Sequence, residues 1–135
     1  LVPYLRMLKQ RGRPFAILEK DVRTIKEDEL PFFAGPDQAT EKIGQADLLI
    51  VTGTTLINGT LEGILESAKP GAEIVVVGPS VSMLPQALFR RGVTAIGGLV
   101  CTDADRLLDI LSEGGSGYHF TGSSARLTVI RPHAA

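Results

Sequence analysis

The sequence holds one cysteine, Cys101, no tryptophan, and only 5% aromatic residues. A lone cysteine excludes a disulfide framework and a cysteine-rich zinc module. The apolar runs are short, far below the roughly 20 residues that cross a bilayer. Neither sign of charge dominates: 14 basic against 15 acidic residues leave a formal net charge of −1. A broad nucleic-acid or anionic-membrane surface is therefore not expected. No basic-then-apolar leader pattern opens the chain, so a cytoplasmic, reducing setting is the expectation. What is present is 44% hydrophobic and 21% charged residues in a chain of 135. That composition excludes disorder and suits one domain with a real core.

The pattern alternates helix and strand. Leu1, Val2, Leu5 and Leu8 share a helical face that Gly12 closes. Phe15 to Leu18 reads as a strand, and 22–35 as irregular, with Pro31 and Gly35 as breakers. A helix is expected from Pro36 to about Gln45, then a strand over Ala46–Val51. Ile57, Leu61, Ile64, Leu65 and Ala68 predict one helix up to Pro70-Gly71. Glu73–Val77 is the third strand. A helix from Met83 to Arg91, with Leu84, Ala87 and Leu88 inward, ends at Gly92. Val93–Ile96 follows as a strand closed by Gly97-Gly98. Thr102 is the expected N-cap of a helix through Ser112, with Ala104, Leu107, Leu108 and Leu111 inward. Leu127–Ile130 reads as a last, edge strand.

The central strands lack period-two alternation, which predicts a parallel sheet covered on both faces. The expected fold is a Rossmann-like three-layer α/β/α domain with a mostly parallel sheet. Because Leu1 opens inside a helix, a strand is expected before it, and residues 1–135 are read as the C-terminal part of a longer two-domain protein.

In such sheets ligands bind at the carboxyl ends of the strands. The second strand is followed by Thr52, Gly53, Thr54, Thr55, Asn58, Gly59 and Thr60. Glycines allow close backbone approach, hydroxyls and an amide supply hydrogen bonds, and a following helix start favours an anion. Alternatively, these hydroxyls only cap a helix. Gly78, Pro79 and Ser80 repeat the pattern after the third strand, and Gly97-Gly98 after the fourth, with a helix cap and a tight turn as the plainer readings. Glu19 stands where an acid can meet a ribose, or is a surface glutamate. Neither a P-loop nor a G-x-G-x-x-G fingerprint is present.

The metal-ligating types Cys101, Asp103, Asp105, His119 and His133 match no ligand spacing. Cys101 reads as a small buried hydrophobe. His119 lies in a Gly/Ser loop beside Tyr118, either over a site or solvated.

The segment Thr52-Gly53-Thr54-Thr55-Leu56-Ile57-Asn58-Gly59-Thr60, followed by Val77-Gly78-Pro79-Ser80, Pro85, Leu88-Phe89, Gly92-Val93 and Gly97-Gly98, resembles the DUF364 family, described as a heavy-metal chelation domain. The similarity runs from about Leu1 to Arg131. It implies a Rossmann-like C-terminal domain whose partner is an N-terminal domain or segment resembling that of enolase, on the same or a separate chain. By resemblance, Thr52, Gly53, Thr54, Asn58, Thr60, Gly78, Pro79 and Ser80 line one side of an interdomain cleft. A heavy-metal ion is the implied cofactor, although the ligand spacing within this chain does not itself provide a metal site.

Three functions are compatible with these residues. The first is a binding domain for a small anionic ligand, such as a metal chelate. The second is half of an enzyme acting on a nucleotide-like or phosphorylated molecule, with catalytic groups supplied by the other domain. The third is an assembly domain without ligand. A homo-oligomer is compatible with each.

Overall fold

The computed structural model describes residues 2–132. Helix α1 (Val2–Gln10) opens the chain; Leu1, expected inside it, and His133 lie outside the described residues. Strand β1 (Ile17–Leu18) pairs in parallel with β2 (Phe33–Ala34), a strand that sequence reading missed. These two form a sheet of their own rather than joining the main one. The segment between them is built from 3-10 turns at Val22–Thr24 and Glu27–Phe32. Phe15, expected in the strand, instead stacks on Phe32 with ring centroids 4.3 Å apart. Lys9 of α1 pairs with Asp28 at 2.6 Å, and this hydrogen bond holds the Asp28 carboxyl below its ordinary pKa.

The main sheet has the order β3-β4-β5-β6, from Leu48–Thr52, Glu73–Val77, Ala95–Cys101 and Ser124–Ile130. The first three strands are parallel and β6 is antiparallel. Helix α2 (Ala39–Gln45) precedes β3 after a 3-10 turn at Pro36–Gln38. Two short helices, α3 (Thr54–Ile57) and α4 (Leu61–Ser67), connect β3 to β4. They replace the single expected helix because Asn58-Gly59-Thr60 breaks it: Gly59 takes φ 71°, and the Asn58 side chain accepts from the Thr60 amide. Helix α5 (Gln86–Arg90) is shorter than expected, and Leu84 before it is 79% exposed rather than inward.

Ile43 of α2, Leu61 of α4 and Leu88 of α5 pack with Leu49, Val51, Ile74, Val76 and Ile96 from the strands. Within the strands burial alternates: Leu49, Val51, Ile74 and Val76 are buried, whereas Leu48 is exposed and Ile50 and Val75 are half-buried. The apolar runs therefore do not mean equal cover on both faces among the described residues. Lys69 reaches back to Asp47, tying the end of α4 to the start of β3 and lowering the pKa of the Asp47 carboxyl through that hydrogen bond.

The fourth strand expected from the sequence corrects another reading. Gly97-Gly98 does not close the strand but lies within β5, which continues to Cys101 because β6 supplies a ladder up to the Cys101–Ser124 pair. Helix α6 (Ala104–Ser112) is capped by Asp103, whose carboxylate accepts from the Arg106 amide, and not by Thr102. It buries no residue: Leu108 is 63% and Leu111 47% exposed. Cys101 is likewise exposed rather than buried. No helix among the described residues is long and apolar enough to cross a membrane.

Candidate functional site

Because β3 and β4 are neighbours in parallel, their carboxyl-terminal loops lie side by side. The Gly53 amide donates to the Val77 carbonyl at 2.7 Å, and the Gly78 amide to the Gly97 carbonyl at 2.8 Å. The same ladder geometry thus carries across the ends of β3, β4 and the middle of β5. Gly53 allows this closeness: a Cβ there would stand 3.0 Å from the Val81 amide nitrogen and 3.2 Å from the Ser80 Cβ. Gly78, at φ 121°, turns the chain into the 3-10 turn Pro79–Val81.

The side chains of the first loop divide into two sets. Thr55 is buried, and its hydroxyl donates to the Thr52 carbonyl at 2.7 Å. The Thr60 hydroxyl donates to Asn58 Oδ1 at 2.7 Å. These contacts hold the loop together. Thr54 is exposed, with its hydroxyl bonded to that of half-buried Thr52, while Asn58 is exposed with its amide nitrogen directed to no recorded partner among the described residues. Ser80 is exposed beside them. Neither 52–60 nor 78–82 contains an acidic or basic residue. The loops therefore offer neutral hydroxyl and amide groups, which suit the oxygens of an anionic ligand better than a bare cation.

Gly97 and Gly98 sit beneath this arrangement and not at its rim. A Cβ on Gly98 would meet the Ser82 hydroxyl at 2.9 Å, and that hydroxyl accepts from the Leu99 amide. Ser82 thereby locks the β4 turn to β5. Glu19 follows β1, outside the main sheet, and its carboxylate accepts from the adjacent Lys20 amide. It is not brought into this loop cluster by the sheet. His119 lies in the segment that packs Gly117 against Pro79. Its Nδ1 accepts from the Ser116 amide at 2.9 Å, which leaves Nε2 as the ring's protonated nitrogen in the neutral form.

Two features escaped sequence reading. Ile57 and Leu84 are 76% and 79% exposed, and both flank these loops. Beside them runs a groove of about 280 Å³ between α3–α4 and α5, edged by the Glu62–Arg91 ion pair. The sequence signal was Pro85 directly after Met83-Leu84, since a proline disfavours helical backbone in the residue before it. A resident metal is not supported by the donor set: the described residues contain no group of three or more His, Cys, Asp and Glu side chains that could hold one.

Comparison with known proteins agrees with this architecture. A DUF364-family protein of unknown function from Pyrococcus horikoshii superposes with a TM-score of 0.84 at 24% identity, over 97% of this chain and 52% of its own. A second, from Desulfitobacterium hafniense, gives 0.70 at 20% identity, over 86% and 43%. An uncharacterised Methanocaldococcus jannaschii protein, MJ0500, is 33% identical over 85 residues, 63% of this chain and 33% of that protein. The chain thus spans about half, or less, of these relatives. The family model described as "Putative heavy-metal chelation" matches residues 1–130, and the chain belongs to that family, DUF364.

Proposed function

We propose that this domain binds a small anionic ligand, with a metal entering as its chelate, at the joined ends of β3 and β4. The observation that carries the reading is the cluster of open, uncharged groups from Thr52, Thr54, Asn58 and Ser80 on two loops held together at Gly53. Such groups hydrogen-bond carboxylate or phosphate oxygens without the charge repulsion that an acidic site would impose. The family description supplies the metal, and the chelating oxygens of the small molecule would hold it. A second domain would complete the site. The support for that is the greater length of the relatives and the exposed Ile57 and Leu84 beside the loops.

The test is calorimetric titration of the protein with citrate, with cobalt(II) citrate and with cobalt(II) alone. The expected order places the chelate first and the bare ion last. Thr54→Val should weaken chelate binding roughly tenfold while leaving the melting temperature unchanged, because Thr54 is exposed. Equal affinity in that variant, or tightest binding by the bare ion, would overturn the reading.

A further inference from the structure

Given the anion site proposed above, on which this rests, we infer that the turn at 116–119 is its third wall and that His119 donates its Nε2–H to an oxygen of the ligand instead of coordinating the metal. Strand β5 continues past its last pair with β4, Gly97 with Val77, to Cys101, opposite which β6 begins at Ser124. The segment entering β6 therefore reaches the sheet beyond the carboxyl end of β4, on the edge that carries 52–60 and 78–82. It touches the second of those loops: a Cβ on Gly117 would stand 3.1 Å from Pro79 Cγ, next to Ser80. His119 follows two residues later, so its Cα lies within about 7.6 Å of that of Gly117, two Cα steps of 3.80 Å. The segment is also fastened behind the turn. Phe120 is buried, and its carbonyl accepts from the Ser123 and Ser124 amides at 3.1 Å. Ser123 is fully buried, and its carbonyl accepts from the Thr102 and Asp103 amides at the end of β5.

Two hydrogen bonds orient the imidazole. The His119 amide donates to the Ser116 carbonyl at 2.7 Å, which closes the turn, and the Ser116 amide donates back to Nδ1 at 2.9 Å. The ring is thus held by its Nδ1 edge, and His119 is exposed. With its lone pair committed at Nδ1, the neutral ring carries its proton on Nε2 and offers a donor there. Metal coordination through Nε2 would move that proton to Nδ1, where it would face the Ser116 N–H, donor against donor. Only the Ser116 hydroxyl, at 3.2 Å, could then receive it. The geometry therefore suits an oxygen acceptor. Tyr118 and His119 are the ionisable side chains of 52–60, 78–82 and 115–122, so a donor from this turn adds to the hydroxyls and amide without bringing a carboxylate near the anion.

Calorimetric titration of wild type, Thr54→Val, His119→Asn and His119→Gln with citrate, cobalt(II) citrate and cobalt(II) alone tests this. An asparagine Oδ1 can still accept from the Ser116 amide and keep the turn, but the side chain ends short of Nε2. His119→Asn should weaken citrate and chelate binding roughly fivefold to tenfold, with the melting temperature and the bare cobalt(II) titration unchanged. His119→Gln carries an N–H donor near the Nε2 position and should return affinity to within about threefold of wild type. Nitrogen-15 spectra of the imidazole at pH 8 should show the proton on Nε2, and that signal should move on addition of citrate. Wild-type affinity in His119→Asn while Thr54→Val is weakened would overturn this contact alone. So would a citrate-insensitive imidazole signal in a wild type that binds citrate, or bare cobalt(II) binding that His119→Asn abolishes. A wild type that binds neither citrate nor its chelate would overturn the proposed function and this contact with it.

Discussion

Helices α4 and α6 both connect neighbouring strands of one sheet, yet only α4 is buried. Leu61 of α4 is 5% exposed within the core, whereas Leu108 of α6 stands 63% exposed. Connectivity explains the difference. α4 links two parallel strands, so the chain must travel back along the whole sheet and lie on it. α6 links antiparallel strands, a connection that imposes no such return. The β5 residues Gly98 to Cys101 reflect the same division, since they pair with β6 but not with β4. An amphipathic pattern gives a helix an apolar face; the strand direction that follows determines whether the sheet covers it.

The largest expected effect lies on the buried side of this comparison. Leu61→Ala should cost about 2–5 kcal/mol, because it leaves a cavity between α4 and the sheet. Urea denaturation checks it, and a cost below that of an exposed leucine would show that α4 is no better packed than α6. Gly53→Ala comes next, at about 1–3 kcal/mol. Its Cβ would press on the backbone of Val81 and on Ser80, forcing the β3 and β4 loops apart. The same variant should lose chelate affinity, since it disturbs the alignment of Thr54 with Ser80. Thermal melting and the cobalt(II) citrate titration, run together, measure both consequences.

Much of this architecture is legible in the residues. Glu73–Val77 is a strand with the bounds its apolar run predicts, and the loops after β3 and β4 adjoin as a parallel sheet requires. Gly97-Gly98 illustrates the limit. Locally the pair reads as a turn, and only the approach of Val77 to Gly97 and of Ser82 to Gly98, both distant in the chain, explains why a strand there needs glycine. The exposed Leu108 and Leu111 have the same origin, because helical periodicity carries no information about the direction of the next strand. In the candidate site, the residue types of 52–60 marked the loop, but not which hydroxyls hold it together. Thr55 and Thr60 do so through local hydrogen bonds to the Thr52 carbonyl and to Asn58 Oδ1, and the turn geometry that sets these bonds, not the residue type, separates them from exposed Thr54. Glu19 shows a related limit: a two-residue strand gives no signal of which sheet it joins.

The smallest expected effect sharpens the comparison most. Leu108→Gln keeps a good helix former on α6 and removes an apolar side chain that is already 63% exposed. Stability should change by no more than about 0.5 kcal/mol, against several for Leu61→Ala. Equilibrium urea unfolding of both variants in parallel gives the contrast directly. A cost for Leu108→Gln close to that of Leu61→Ala would mean that α6 is covered in solution, and the strand-direction argument would fail for this helix. A near-zero cost would leave the helix's apolar face as a consequence of its connection alone.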